Sequence, residues 1–196
     1  MNQVEINKDM KLSQHFTLGE LTKTSYHTSD GNIPSHVAIE NLRRLCVEWL
    51  ELLRERVNRR EEVRREGDEE TGSGPSTGSG TAEVPIVINS GYRSEEVNMK
   101  CGGAKNSNHL TGCAVDIRCD GPEQMIRYAA ILLDIDNEKS HNRDRSCVPT
   151  VASEQSSSAH CENFDELILE KRGTTYWIHF AVRPKDNRRK ILFDCR

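Results

Sequence analysis

The sequence predicts an α+β domain, because helical periodicity comes first along the chain and a mixture of short β-branched runs and helices follows it. Two patterns carry most of that expectation. Leu42, Leu45, Cys46, Trp49, Leu53 and Val57 recur at helical spacing and leave a charged opposite face. Farther on, Tyr176-Trp-Ile-His-Phe-Ala-Val182 alternates with the period of a half-buried strand. At 196 residues and 22.2 kDa the chain can bury one core, so a single domain spanning 1–196 is expected.

Each element follows from local chemistry. Thr17 and Glu20 have capping-box spacing, and Phe16 and Leu21 can staple the start of a short first helix. Pro34 opens the longer helix with the apolar stripe, where Trp49 is a packing residue. From about Arg59 the stripe fades into charge runs and then Gly, Ser, Thr and Pro, which predicts a flexible insertion over about 59–83. No strand precedes its Gly-Ser-Gly repeats and no Gly-Lys-Ser/Thr ends them, so they do not read as a phosphate loop. A second polar insertion is expected over about 137–163. Strands are predicted at Val84 to Asn89, Cys113 to Ile117, Phe164 to Glu170 and Thr175 to Val182, and helices at Ser94 to Lys100 and Pro122 to Leu133.

Composition narrows the function. A net charge of -4 and a pI near 6.0 argue against a nucleic-acid partner, which would need a basic surface. The first twelve residues hold scattered charges and no apolar run, so neither an export signal nor membrane insertion is read there, and synthesis as a soluble cytoplasmic protein is expected; a monomer is the separate expectation for its assembly. Seven cysteines without a Cys-x-x-Cys pair fit reduced thiols rather than a disulfide framework.

Of seven histidines, context separates two. His109 precedes Gly112, a turn residue, and then a strand on which Ala114 and Asp116 share the less apolar face. His179 lies in a strand that otherwise looks buried, sharing a face with Trp177 and Ala181, so its ring needs a partner. Two His and one Asp meet the requirement of a catalytic zinc ion for three N or O ligands and an open fourth position. Spacing alone is weak, since no His-Glu-x-x-His helix motif is present.

Wording adds what spacing lacks. Ser90-Gly-Tyr-Arg-Ser94 with Val97-Asn98, then Gly102-Gly-Ala, Ser107-x-His109-x-x-Gly112-x-Ala114-x-Asp116 and Trp177-x-His179 resemble the zinc D-alanyl-D-alanine carboxypeptidase family. The resemblance extends to Leu12-Ser-x-His-Phe-Thr-Leu18 and Phe164-Asp-Glu-Leu-Ile168. It implies the scaffold shared with Hedgehog signalling domains, a small antiparallel sheet flanked by helices, with Zn2+ held by His109, Asp116 and His179. The implied reaction is hydrolysis of a peptide bond next to a D-amino acid in peptidoglycan stem peptides or cross-links, as carboxypeptidase or endopeptidase. Without an export signal, action at the cell wall would fit a phage or prophage lysis enzyme.

Hydrolysis also needs a group that moves protons. Several branches of the family place an acid three residues before the last His, where this chain has Tyr176, which is no base at neutral pH. The nearest upstream acids are Glu170 and Glu166, on one face of the Phe164 strand, and Glu170 is the preferred base because the following turn leads back to His179. Similar family members carry Glu at this position; the other reading is a solvated strand end. Arg93 is a candidate for binding the substrate carboxylate or the oxyanion, or for holding its own turn by pairing with a neighbour. Ser107 can contact substrate or stabilise the ligand loop, and Tyr92 reads as a core residue. Two readings of another class stay open: a cell-wall-binding or structural protein that keeps zinc without catalysis, supported by Tyr176, and a zinc-stabilised signalling module.

Overall fold

A computed structural model describes residues 7–69, 83–146 and 163–195. Four α-helices and one strand, in the order α1 (Leu18–Leu21), α2 (His36–Leu45), α3 (Glu51–Glu69), β1 (Ile88–Ser90) and α4 (Glu95–Lys100), come first. There follow β2 (Ala114–Cys119), α5 (Pro122–Ser146), β3 (Glu166–Arg172), β4 (Thr175–Ala181) and β5 (Lys190–Cys195). The class is α+β, with a five-stranded sheet in the order β1-β2-β4-β3-β5 flanked by helices.

The capping box read from sequence forms at the first helix, and a second cap forms at α4. Thr17 and Glu20 make the reciprocal capping box of α1, and Ser94 caps α4 by accepting from Val97 N. Ser35 caps α2, one residue after Pro34. A wide π turn, Cys46–Leu50, joins α2 to α3, and Trp49 and Leu50 are both fully buried in it.

Several expectations are corrected. The first insertion does not begin near residue 59, because α3 continues to Glu69; the second does not begin near 137, because α5 continues to Ser146. Residues 70–82 and 147–162, the remainder of the predicted insertions, lie outside the described residues. Only Ile88–Ser90 of the Val84 run pairs as a strand, since Pro85 supplies no N–H and the preceding residues join the sheet only where Arg118 N donates to Val87 O. The sheet is not wholly antiparallel either: β5, which was not anticipated, runs parallel to β3.

Period-two alternation gives the sheet two unlike faces. Val115, Ile117, Leu167, Ile178 and Phe180 point to a core shared with α2, the π turn, α3 and α5. There the Trp49 and Phe180 rings meet with centroids 5.1 Å apart. The other face carries Asp116, Glu166, Ile168, Glu170, Trp177 and His179, and polar chemistry collects there. Among the described residues no helix is long and apolar enough to cross a membrane, and Cys46, Cys101, Cys113, Cys119 and Cys195 are free thiols.

Candidate metal centre

Three elements deliver three ligand atoms to one point. Asp116 on β2 and His179 on β4 are directly opposite each other in the antiparallel ladder, so their side chains emerge side by side. His109 arrives from a 3-10 turn, Asn108–Thr111, whose first N–H groups are capped by Ser107 Oγ accepting from His109 N at 3.3 Å. Gly112 ends that turn at φ 70, and a Cβ there would stand 2.4 Å from the Ala38 carbonyl oxygen. Glycine is therefore required both by the left-handed backbone and by the close approach of α2.

The three atoms form a nearly equilateral triangle. His109 Nε2 lies 3.2 Å from Asp116 Oδ1 and 3.2 Å from His179 Nδ1, and His179 Nδ1 lies 3.1 Å from Asp116 Oδ1. One face of a tetrahedron with metal–ligand bonds of ~2.0–2.1 Å has edges of about 3.3–3.4 Å, so zinc fits this triangle with small adjustment. The donor chemistry agrees. His109 Nδ1 donates to Gly91 O at 2.5 Å, which leaves Nε2 as a bare lone pair. His179 Nε2 faces Glu166 Oε2 at 3.5 Å, which leaves Nδ1 bare when that ring is neutral. With both rings neutral, three acceptors converge with no hydrogen between them, a set that a cation would satisfy.

The electrostatics follow from burial and mutual attraction. Burial pulls the His109 ring down, outweighing the raising effect of Asp116, so it stays neutral and ready to ligate. Burial would raise the Asp116 carboxyl, yet His109 and His179 hold it well below the usual carboxylate range. His179 is also pulled down by burial, but hydrogen bonding to Asp116 and Glu166 prevails and lifts it to about 9. A proton on His179 thus balances part of the Asp116 and Glu166 charge.

The remaining candidates surround this triangle unequally. Arg93 pairs with Asp116 Oδ2 through Nη2 and donates from Nε to Ser90 Oγ at 2.8 Å, while its Nη1 makes no hydrogen bond among the described residues. Ser107 caps the His109 turn. Glu170 stands on the face of β3 that carries Glu166 and Ile168, opposite Trp177, and its side chain makes no hydrogen bond or ion pair among the described residues. Burial first, then the nearby Asp116 charge, pushes its carboxyl above the ordinary range. Tyr176 is elsewhere: it pairs with Cys119 and Lys171 and packs its ring at the edge of the core. A residue three before His179 on a strand must face away from it, so an acid at 176 on this backbone would not meet the metal. Tyr92 is partly buried against the core.

Glu166, weighed in the sequence only as a second-choice base, is engaged structurally. It accepts from Asn108 Nδ2 at 3.1 Å and pairs with Arg188 at 2.9 Å, besides facing His179. The signal that could have separated the two glutamates was the basic run Arg188-Arg-Lys190, which is legible only once β5 is known to lie beside β3. Searches of the curated proteins and of the solved structures give no match. The model of one protein family, Peptidase M15, matches residues 79–137, a span that holds Arg93, Ser107, His109 and Asp116 and stops before Glu170 and His179. Over these residues the chain is similar to M15 peptidases, and the buried His-Asp-His group, two of whose members lie in the matched span, could hold a metal ion.

Proposed function

We propose that the protein is a zinc-dependent peptidase that cleaves a peptide bond next to a D-amino acid in peptidoglycan, as carboxypeptidase or endopeptidase. The observation that carries the reading is the convergence of three bare ligand atoms on one sheet face that also holds an unpaired, half-buried glutamate. Zinc, when bound, would polarise the scissile carbonyl and make the attacking water more acidic. Glu170 takes the proton from that water at its carboxylate and returns it to the leaving amine nitrogen. A carboxyl raised by burial suits that exchange, because its basicity approaches that of the groups it serves. Arg93 keeps Asp116 in place through Nη2 and has Nη1 left for the oxyanion or a substrate carboxylate. Ser107 fixes the His109 turn.

The peptidoglycan substrate rests on the sequence wording around Arg93, Ser107 and His179 together with the M15 match. A metal-holding wall-binding protein without catalysis was suggested by Tyr176, but that side chain lies on the core side of β4, so its identity does not bear on whether the metal face holds a base. The experiment is incubation of zinc-loaded protein with purified peptidoglycan, followed by mass spectrometry of the released fragments. New fragments cut beside a D-amino acid, absent after chelation of the metal, are expected. Unchanged peptidoglycan with fully loaded protein would reject the reading in favour of the binding protein.

A further inference from the structure

We infer that Glu166 is a positioning residue for the metal centre: its carboxylate orients the His179 ring so that Nδ1, rather than Nε2, is presented to the ion. This rests on the metal-centre reading above but not on any substrate. His179 Nε2 has one partner among the described residues, Glu166 Oε2 at 3.5 Å, while Nδ1 faces Asp116 Oδ1 at 3.1 Å. Asp116 Oδ1 is the nearer carboxylate, but it faces Nδ1 as a fellow ligand; with a cation at the triangle Nδ1 would have to be bare, and the Glu166 carboxylate at Nε2 then accepts the one proton of the neutral ring. His109 has the complementary arrangement, with Nδ1 donated to Gly91 O and Nε2 free. The two ligand rings are thus fixed in opposite tautomers, one by a backbone carbonyl and one by a side chain.

Glu166 is itself held on several sides. Asn108 Nδ2 donates to Oε2 at 3.1 Å, the same oxygen that faces His179, while Arg188 Nη2 at 2.9 Å and Lys190 Nζ at 3.4 Å pair with Oε1. Asn108 immediately precedes His109, so one amide links the support of one ligand to the backbone of the other. Lys190 is directly opposite Glu166 in the β3–β5 ladder, and Arg188 lies two residues before it. Strand β5, which carries no ligand, therefore contributes to the metal site by fixing the carboxylate behind His179. Glu170 on the same face has none of these partners, which separates a glutamate built into the scaffold from one free to exchange protons.

The test is zinc affinity, read by competition against a chromophoric chelator of known affinity, with no substrate present. Glu166→Ala is expected to weaken zinc binding about 10–100-fold. Glu166→Gln, which retains an acceptor oxygen, should recover most of that loss, and Glu170→Gln should bind zinc as the parent does. Wild-type zinc affinity in Glu166→Ala would overturn the inference. So would loss of hydrolysis in that variant at full zinc affinity, because Glu166 would then act on the reaction and not on the ligand. Should the alanine variant fail to fold, NMR of the glutamine variant decides: the His179 Nε2–H of the zinc-loaded protein should exchange with water faster than in the parent, and equal exchange would refute the role. A protein that proves inactive on peptidoglycan yet shows these zinc affinities leaves the inference standing, so the two failures are distinguishable.

Discussion

His179 connects the charge of the site to pH at the level of a single residue. Its ring is held at about 9 in the metal-free protein by Asp116 and Glu166, against the pull of burial, so at neutral pH it carries a proton that zinc must displace. Zinc binding at pH 7 should therefore release close to one proton, measurable by titration calorimetry in buffers of different ionisation enthalpy, and release should vanish as pH rises through 9. Buffer-independent heats at pH 7 would show that His179 is already neutral. Glu170 gives a second prediction. Its carboxyl is raised by burial and by Asp116, and a base must be deprotonated to act, so activity should rise with pH along an acid limb above the ordinary glutamate range of ~4.3. Glu170→Gln should remove that limb and lower kcat by about 10²–10⁴-fold with zinc affinity retained. A variant that keeps full activity would move the base elsewhere. His109, Asp116 and His179 were legible from family-like wording joined to local turn and alternation signals; of the partners that set their charge, Glu166 on β3 and Arg93 after β1 come from elements that sequence order does not place beside all three.

At the scale of elements, the Asn108–Thr111 turn depends on α2 as much as on its own sequence. Gly112 closes it with a left-handed φ of 70, and the Ala38 carbonyl of α2 would lie 2.4 Å from an added Cβ. Gly112→Ala should cost roughly 1–3 kcal/mol from backbone strain, with the clash adding to it, and should weaken zinc binding because His109 rides on the same turn. Urea denaturation and zinc competition on one preparation check both effects. A variant with parental stability would mean that α2 gives way freely. The same scale explains what the sequence concealed. Gly112 was readable as a turn residue, yet its second constraint comes from a helix some seventy positions earlier. Strand β5 was missed because Lys190-Ile-Leu-Phe-Asp-Cys195 is a short apolar run at the chain end, with three large side chains, Ile191, Leu192 and Phe193, exposed on an edge strand. The overrun of α3 and α5 has a different cause: their last turns are polar, and a helix without an apolar stripe leaves no periodic signal to mark its end.

For the molecule as a whole, Asp165 joins the C-terminal strand to the turn that carries His109, and acid should expose this. Its carboxylate is fully buried at the start of β3 and accepts from Arg188 Nε at 2.8 Å, Arg188 N at 3.1 Å and Asn108 Nδ2 at 3.0 Å. Arg183, from the segment that carries the chain from β4 to β5, pairs with it at 3.0 Å. Burial alone would raise this carboxyl, but the Arg188 bonds dominate the opposing set and bring it down to about 2. An unfolded Asp titrates near ~3.9, so the unfolded chain takes up this proton first as pH falls. The contribution is fully present above that unfolded value and is lost as pH drops through about 2. The shift corresponds to roughly 2–3 kcal/mol at neutral pH. Asp165→Asn should therefore be less stable at pH 7 and show a flatter fall in stability between about pH 4 and 2 than the parent. Chemical denaturation across that range measures the slope directly. Because Asn108 Nδ2 is shared between Asp165 and Glu166, the variant should also bind zinc more weakly, by a smaller factor than Glu166→Ala. Lower stability with unchanged zinc affinity would confine Asp165 to closing the sheet; a parallel loss of both would show that the β3–β5 junction and the metal face stand or fall together.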